Sequence, residues 1–146
     1  MATPARILIA DDNLQNADLL NEYLSDGEFE TAVAHDGDET MHLIRDFRPD
    51  VILLDIMMPK LSGFEVCKRL KADLATRQLP VLMITALDQP SDIDRAVEAG
   101  TDDFLTKPIN QTELIRRVRA LIASRKQGNA VEQTLTYMQA VDRGVS

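Results

Sequence analysis

The sequence predicts an α/β fold: a mainly parallel, doubly wound sheet with helices on both faces. Three observations lead there. Strand-like and helix-like segments alternate five times along the chain, the order that builds βα units. The strand-like segments are short runs of apolar residues such as Ile7-Leu8-Ile9 and Val51-Ile52-Leu53-Leu54, without polar alternation. Such runs fit strands buried on both faces of a parallel sheet. Every gap between strands is long enough for the crossover that parallel neighbours require.

Taken in order, the first strand covers residues 6–10 and is closed by Asp11-Asp12. A helix follows over 14–24, with Leu20 and Leu24 at helical spacing and Leu19 and Tyr23 beside them, and Asp26-Gly27 ends it. Residues 31–34 form a short, weaker second strand. Asp36-Gly37 reads as a turn into a second helix, 39–47, which offers Met41, Leu43, Ile44 and Phe47 to the core until Pro49-Asp50 stops it. The central strand, 51–54, runs straight into Asp55. A loop with Pro59 and Gly63 leads to a third helix over 64–72, and Leu79-Pro80 introduces a fourth strand over 81–85. Pro90 opens a fourth helix that reaches Ala99 and ends at Gly100. Residues 104–106 are a brief last strand, and 111–125 a fifth helix with Leu114, Val118, Leu121 and Ile122 as its buried stripe. Past Arg125 the pattern changes. Lys126-Gln127-Gly128 reads as a joint, and Asn129-Ala130-Val131-Glu132 as a capped helix start. The expected organisation is one domain over residues 5–125, followed by a linker or extra helix over 126–146.

Composition narrows the function. A chain of 146 residues, 45% hydrophobic and 27% charged, has the profile of one soluble globular domain. A net charge of −8 argues against direct contact with nucleic acid or an anionic membrane, since both need a basic surface. The single cysteine, Cys67, cannot form an internal disulfide and suits a reducing, cytoplasmic setting. No apolar run approaches the ~20 residues of a membrane span, and the first residues lack the apolar core of a signal peptide.

The functional signal lies at the carboxyl ends of the strands, where open α/β sheets place their ligands. Asp11, Asp12 and Asp55 follow two strands that would be neighbours, so three carboxylates meet at one edge. Such acids raise one another's pKa unless a cation neutralises them. Oxygen donors without His or Cys favour a hard divalent ion, Mg²⁺ above others. Thr85 ends the fourth strand and Lys107, followed by Pro108, ends the fifth. A hydroxyl and an ammonium facing a carboxylate nucleophile and a divalent ion form a receptacle for a phosphoryl group.

With these residues in place, the chain resembles a receiver domain of the two-component response regulators over roughly residues 5–125. The pieces that carry the resemblance are Asp11-Asp12, Asp55 within Ile52-Leu53-Leu54-Asp55-Ile56-Met57-Met58-Pro59, Thr85, and the stretch from Gly100 to Lys107-Pro108. The resemblance implies a flavodoxin-like, five-stranded sheet of order 2-1-3-4-5. It implies that Asp55 accepts a phosphoryl group from a histidine kinase or histidine phosphotransfer protein. Mg²⁺ would be held by Asp12, Asp55 and the Met57 backbone carbonyl, with Asp11 acting mainly through water. Lys107 would pair with Asp55 at rest and with phosphate after transfer. Thr85 and Phe104 would be the switch pair, and the Lys107–Pro108 bond would be cis. The neighbourhoods of Phe64-Glu65-Val66-Cys67 and Leu105-Thr106-Lys107-Pro108-Ile109 further resemble receivers joined to cyclic-dinucleotide enzymes.

Two other classes fit less well. A phosphohydrolase with an aspartyl nucleophile commonly needs a second Asp two residues on, where this chain has Met57. A flavodoxin-like cofactor binder needs a phosphate-cradling loop after the first strand, where Asp11-Asp12-Asn13 would repel phosphate. Phe104 could instead serve the core alone. Cys67 reads as inert, and His35 and His42 as solvated or capping residues. The family also suggests a homodimer through the fourth helix, fifth strand and fifth helix, with Asp94, Glu98, Asp102 and Asp103 opposite Arg116, Arg117 and Arg119.

Overall fold

A computed structural model of the chain describes residues 4–25, 27–86 and 90–125. Strands and helices alternate throughout: β1 (Ala5–Ala10), α1 (Leu14–Tyr23), β2 (Phe29–Ala34), α2 (Gly37–Phe47), β3 (Val51–Leu54), α3 (Gly63–Ala72), β4 (Val81–Thr85), α4 (Pro90–Ala99), β5 (Asp103–Thr106) and α5 (Gln111–Arg125). The strands form one sheet in the order β2-β1-β3-β4-β5, and every pairing is parallel. The expected tail helix falls outside the described residues.

Strand side chains alternate between two cores because successive residues point to opposite faces. Leu8, Ala10, Ile52, Leu54, Val81 and Met83 pack with Ile44, Phe64, Val66, Leu70, Ala96 and Ala99, so α2, α3 and α4 cover that face. Ile7, Ile9, Val51, Leu53, Leu82 and Ile84 pack with Ala17, Leu20, Leu24, Leu114, Val118 and Leu121, so α1 and α5 cover the other. Both faces of β1, β3 and β4 are therefore dry, which is why those strands read as unbroken apolar runs.

Some boundaries differ from the sequence reading. β2 begins at Phe29, two residues before the expected start; Phe29 is buried opposite Ala5. Gly37 is the first residue of α2 and not part of a turn, because Asp36 caps the helix by accepting a hydrogen bond from the Glu39 amide at 2.8 Å. On α1 the buried residues are Ala17 and Leu20, whereas Leu19 is exposed.

The charges singled out for a dimer are largely matched within the chain. Arg117 pairs with Asp103 at 2.9 Å and Glu113 at 2.8 Å, and Arg116 with Glu113 at 3.1 Å. Arg119 reaches Glu28, beside the start of β2, on the far side of the domain from β5. Asp102 receives the Lys71 ammonium at 2.8 Å and the Val81 amide at 2.7 Å. Among the described residues, no helix is long and apolar enough to cross a membrane.

Candidate functional site

Register builds the site. Ala10 pairs with Leu54, so the next residue on each strand, Asp11 and Asp55, emerges at the same edge. The Asp55 amide donates to the Ala10 carbonyl at 2.9 Å, and the Asp11 amide to the Ala34 carbonyl at 3.0 Å, which fixes both Cα positions. Strand order reverses at β1, with β2 laid on one side of it and β3 to β5 on the other, and that switch point is where doubly wound sheets open a crevice. On the other flank Thr85 pairs with Thr106, and the Lys107 amide donates to the Thr85 carbonyl at 2.8 Å. The Lys107–Pro108 peptide is cis.

The side chains converge. Carboxylate oxygens of Asp11, Asp12 and Asp55 all lie within 4.8 Å of one another. The Lys107 ammonium sits 3.2 Å from both Asp11 and Asp55, bridging the two buried acids. Asp12 faces solvent. Asp11 also accepts the Asn13 amide at 2.9 Å, and Asp55 the Met57 amide at 3.3 Å. Burial, followed by the charge of Asp11, pushes the Asp55 carboxyl up to about 6 despite Lys107. One ammonium thus leaves the acids under-neutralised. Three oxygen donors, one of them open to water, fit a hard divalent cation.

The remaining expected residues fall around this centre. Thr85 is buried at the end of β4, and Phe104 is half-buried against the core under α3 and α4. Met57 exposes 63% of its surface, and its backbone lies beside the acids through the amide that donates to Asp55. His35 and His42 each meet a carboxylate one turn on, Glu39 at 3.2 Å and Asp46 at 2.8 Å, away from this edge.

Sequence reasoning missed the part played by Gly63. A Cβ there would stand 2.2 Å from the Asp55 carbonyl oxygen and 2.8 Å from Ile56 Cα. Only glycine lets α3 start against the backbone of Asp55, where the Gly63 amide donates to the Ile56 carbonyl at 2.8 Å. The signal was present as a glycine directly after a capping serine, Ser62, whose hydroxyl accepts the Glu65 amide.

The comparisons with known proteins decide the family. A family model described as the response regulator receiver domain matches residues 7–119. The chain belongs to the response regulator receiver family. Response regulator PleD of Caulobacter vibrioides is 46% identical over 117 residues, 80% of this chain and 26% of PleD. The DNA-binding dual master transcriptional regulator RpaA of Synechocystis is 38% identical over 139 residues, 95% of this chain and 56% of RpaA. Among solved structures, a putative response regulator from Chloroflexus aurantiacus superimposes with a TM-score of 0.79 at 34% identity, covering 83% of this chain and 99% of that one. The receiver thus spans about a quarter of PleD and just over half of RpaA. Receivers are modules of two-component signalling, and the family generally binds Mg²⁺ at an acidic pocket such as the one formed here by Asp11, Asp12 and Asp55.

Proposed function

We propose that this receiver is a phosphorylation-controlled switch in which Asp55 accepts a phosphoryl group from a histidine kinase or a histidine phosphotransfer protein. The observation that carries the reading is the Lys107 ammonium held 3.2 Å from both Asp11 and Asp55, in a pocket that gathers three carboxylates. Asp12, Asp55 and the Met57 carbonyl would hold Mg²⁺ directly and Asp11 through water. The ion would offset charge on the transferring oxygens. An Asp55 oxygen attacks phosphorus and forms the new O–P bond. The N–P bond to the donor imidazole breaks, and the imidazole keeps that electron pair and takes up a proton. Lys107 exchanges its contact with Asp55 for one with the bound phosphoryl group. The Thr85 hydroxyl turns toward a phosphate oxygen, and the Phe104 ring moves inward behind it. Water later reverses the modification slowly, because Met57 stands where a phosphohydrolase commonly has its second Asp and offers no proton.

The output is conformational, a shift between two states of the surface. It is delivered to a partner or to an output domain outside this chain. Phosphorylation would favour a homodimer through α4, β5 and α5, where Ile93 and Val97 are exposed. The buried, unbridged Cys67 supports a cytoplasmic setting. With its net charge of −8, the receiver itself would touch neither nucleic acid nor membrane.

Acetyl phosphate with Mg²⁺ tests the reading by intact mass. A single phosphate adduct is expected on the wild type, absent from Asp55→Asn and abolished by chelation. Folded, Mg²⁺-loaded protein that stays unmodified would refute it.

A further inference from the structure

The loop that leaves Asp55 is held at two points. Gly63 anchors its near side, as described above. Its far side is a tight turn at Pro59-Lys60-Leu61, where the Leu61 amide donates to the Pro59 carbonyl at 2.9 Å, across Lys60. Lys60 has φ of 72°, a left-handed conformation that a residue with a Cβ rarely adopts. An i→i+2 hydrogen bond around a central residue of positive φ is the strained form of the γ-turn. Such strain persists only where the surroundings over-determine it.

The start of α2 does so here. The Gly37 amide donates to the same Pro59 carbonyl at 3.2 Å. The Lys60 ammonium lies 3.4 Å from the Asp36 carboxylate. A Cβ on Gly37 would stand 2.3 Å from Leu61 Cβ and 2.8 Å from both the Leu61 nitrogen and oxygen. Gly37 is therefore a glycine because of the loop it touches. A helix-starting residue would otherwise gain from a side chain.

We propose that Asp36 and Gly37 are positioning residues for the metal site: the first turn of α2 clamps the Pro59-Lys60-Leu61 turn and so fixes the backbone that presents Met57 beside Asp55. The proposal rests on reading the acidic pocket as a Mg²⁺ site. It gives the β2–α2 junction, which supplies none of the clustered carboxylates, control over metal affinity.

Lys60→Gly and Gly37→Ala test it from opposite sides. Glycine adopts the positive φ of residue 60 without strain but loses the tie to Asp36, so the turn relaxes while the fold keeps its stability. Removing a positive charge would by itself favour cation binding, whatever its distance from the site. A weakening in Lys60→Gly therefore has the sign that only lost positioning produces. Gly37→Ala pushes Leu61, and the turn with it, away from α2.

The readouts are Mg²⁺ titrations followed by the amide NMR shifts of Asp55 and Met57, with thermal midpoints alongside. Both variants are expected to bind Mg²⁺ about tenfold more weakly than wild type, and Lys60→Gly to melt no lower. Their acetyl phosphate rates should fall at limiting Mg²⁺ and recover at saturation. Wild-type Mg²⁺ affinity in both variants overturns the clamp and leaves the site reading standing. A wild type that binds no Mg²⁺ overturns the site reading, and the clamp with it. Should Gly37→Ala fail to fold, Lys60→Gly decides alone.

Discussion

Asp55 sits where burial and a neighbouring carboxylate both oppose its charge, and that opposition makes stability depend on pH. Its carboxyl rises from 3.8 to about 6 in the folded chain. Between those values the folded state binds more protons than the unfolded one, so stability falls as pH climbs through the window. In metal-free protein above about pH 6 the loss is on the order of 3 kcal/mol. Metal-free Asp55→Asn is therefore expected to melt higher than wild type near neutral pH and at the same temperature near pH 4. Calorimetric midpoints across that range check it, and a constant difference at all pH values would contradict it. Cys67 behaves in the opposite way to a reactive thiol. It is fully buried, donates to the Ala99 carbonyl at 3.3 Å, and burial pushes its thiol up to about 11. Iodoacetamide at mildly alkaline pH should leave Cys67 unlabelled in the folded chain and label it fully in denaturant, as read by mass.

At the scale of elements, the helix starts around the central strand do more than begin helices. Ser62 caps α3 through its hydroxyl at 3.2 Å from the Glu65 amide, and Ser62→Ala should cost about 1 kcal/mol with Asp55 chemistry intact. Gly63→Ala, one residue on, should cost about 2 kcal/mol from overpacking. It should also depress phosphorylation, because the added Cβ has to displace the Asp55 carbonyl now 2.2 Å from it. Denaturant melts paired with acetyl phosphate assays separate the two; equal activity in both variants would remove Gly63 from the site. These roles were hard to read from sequence. Asp36-Gly37 has the composition of a turn, and nothing local says that Gly37 faces Leu61 or that Gly63 faces Asp55. Strand existence was easier to read, since burial on both faces leaves an apolar run in the sequence. The start of β2 was not, because Phe29 is drawn into the sheet by its partner Ala5.

For the whole molecule, the proposed output is a change of surface that a second copy could read. The α4–β5–α5 face carries Ile93 and Val97 exposed at 42% and 67%. Asp103 and Arg117 there already satisfy each other at 2.9 Å. Apolar contact, and not charge pairing, would then supply affinity, since exposed ion pairs each contribute at most about 1 kcal/mol. Sedimentation at matched concentration should show a heavier species after acetyl phosphate treatment, with little weakening by salt. Identical monomer masses in both states would end the dimer reading.

The sequence by itself determined the fold class, the order of elements and the membership of the receiver family. These follow from strand and helix periods and from the spacing of Asp11, Asp12, Asp55, Thr85 and Lys107, all of which are local or one-dimensional. Tertiary structure decided the rest. It buried Asp11 and Asp55 while leaving Asp12 in water, set one Lys107 between two acids, sent Arg119 to Glu28, and pressed two glycines against the loop beyond Asp55. Each of these depends on parallel register and on the distance of closest approach between elements far apart in sequence, and no pattern along the chain records those quantities.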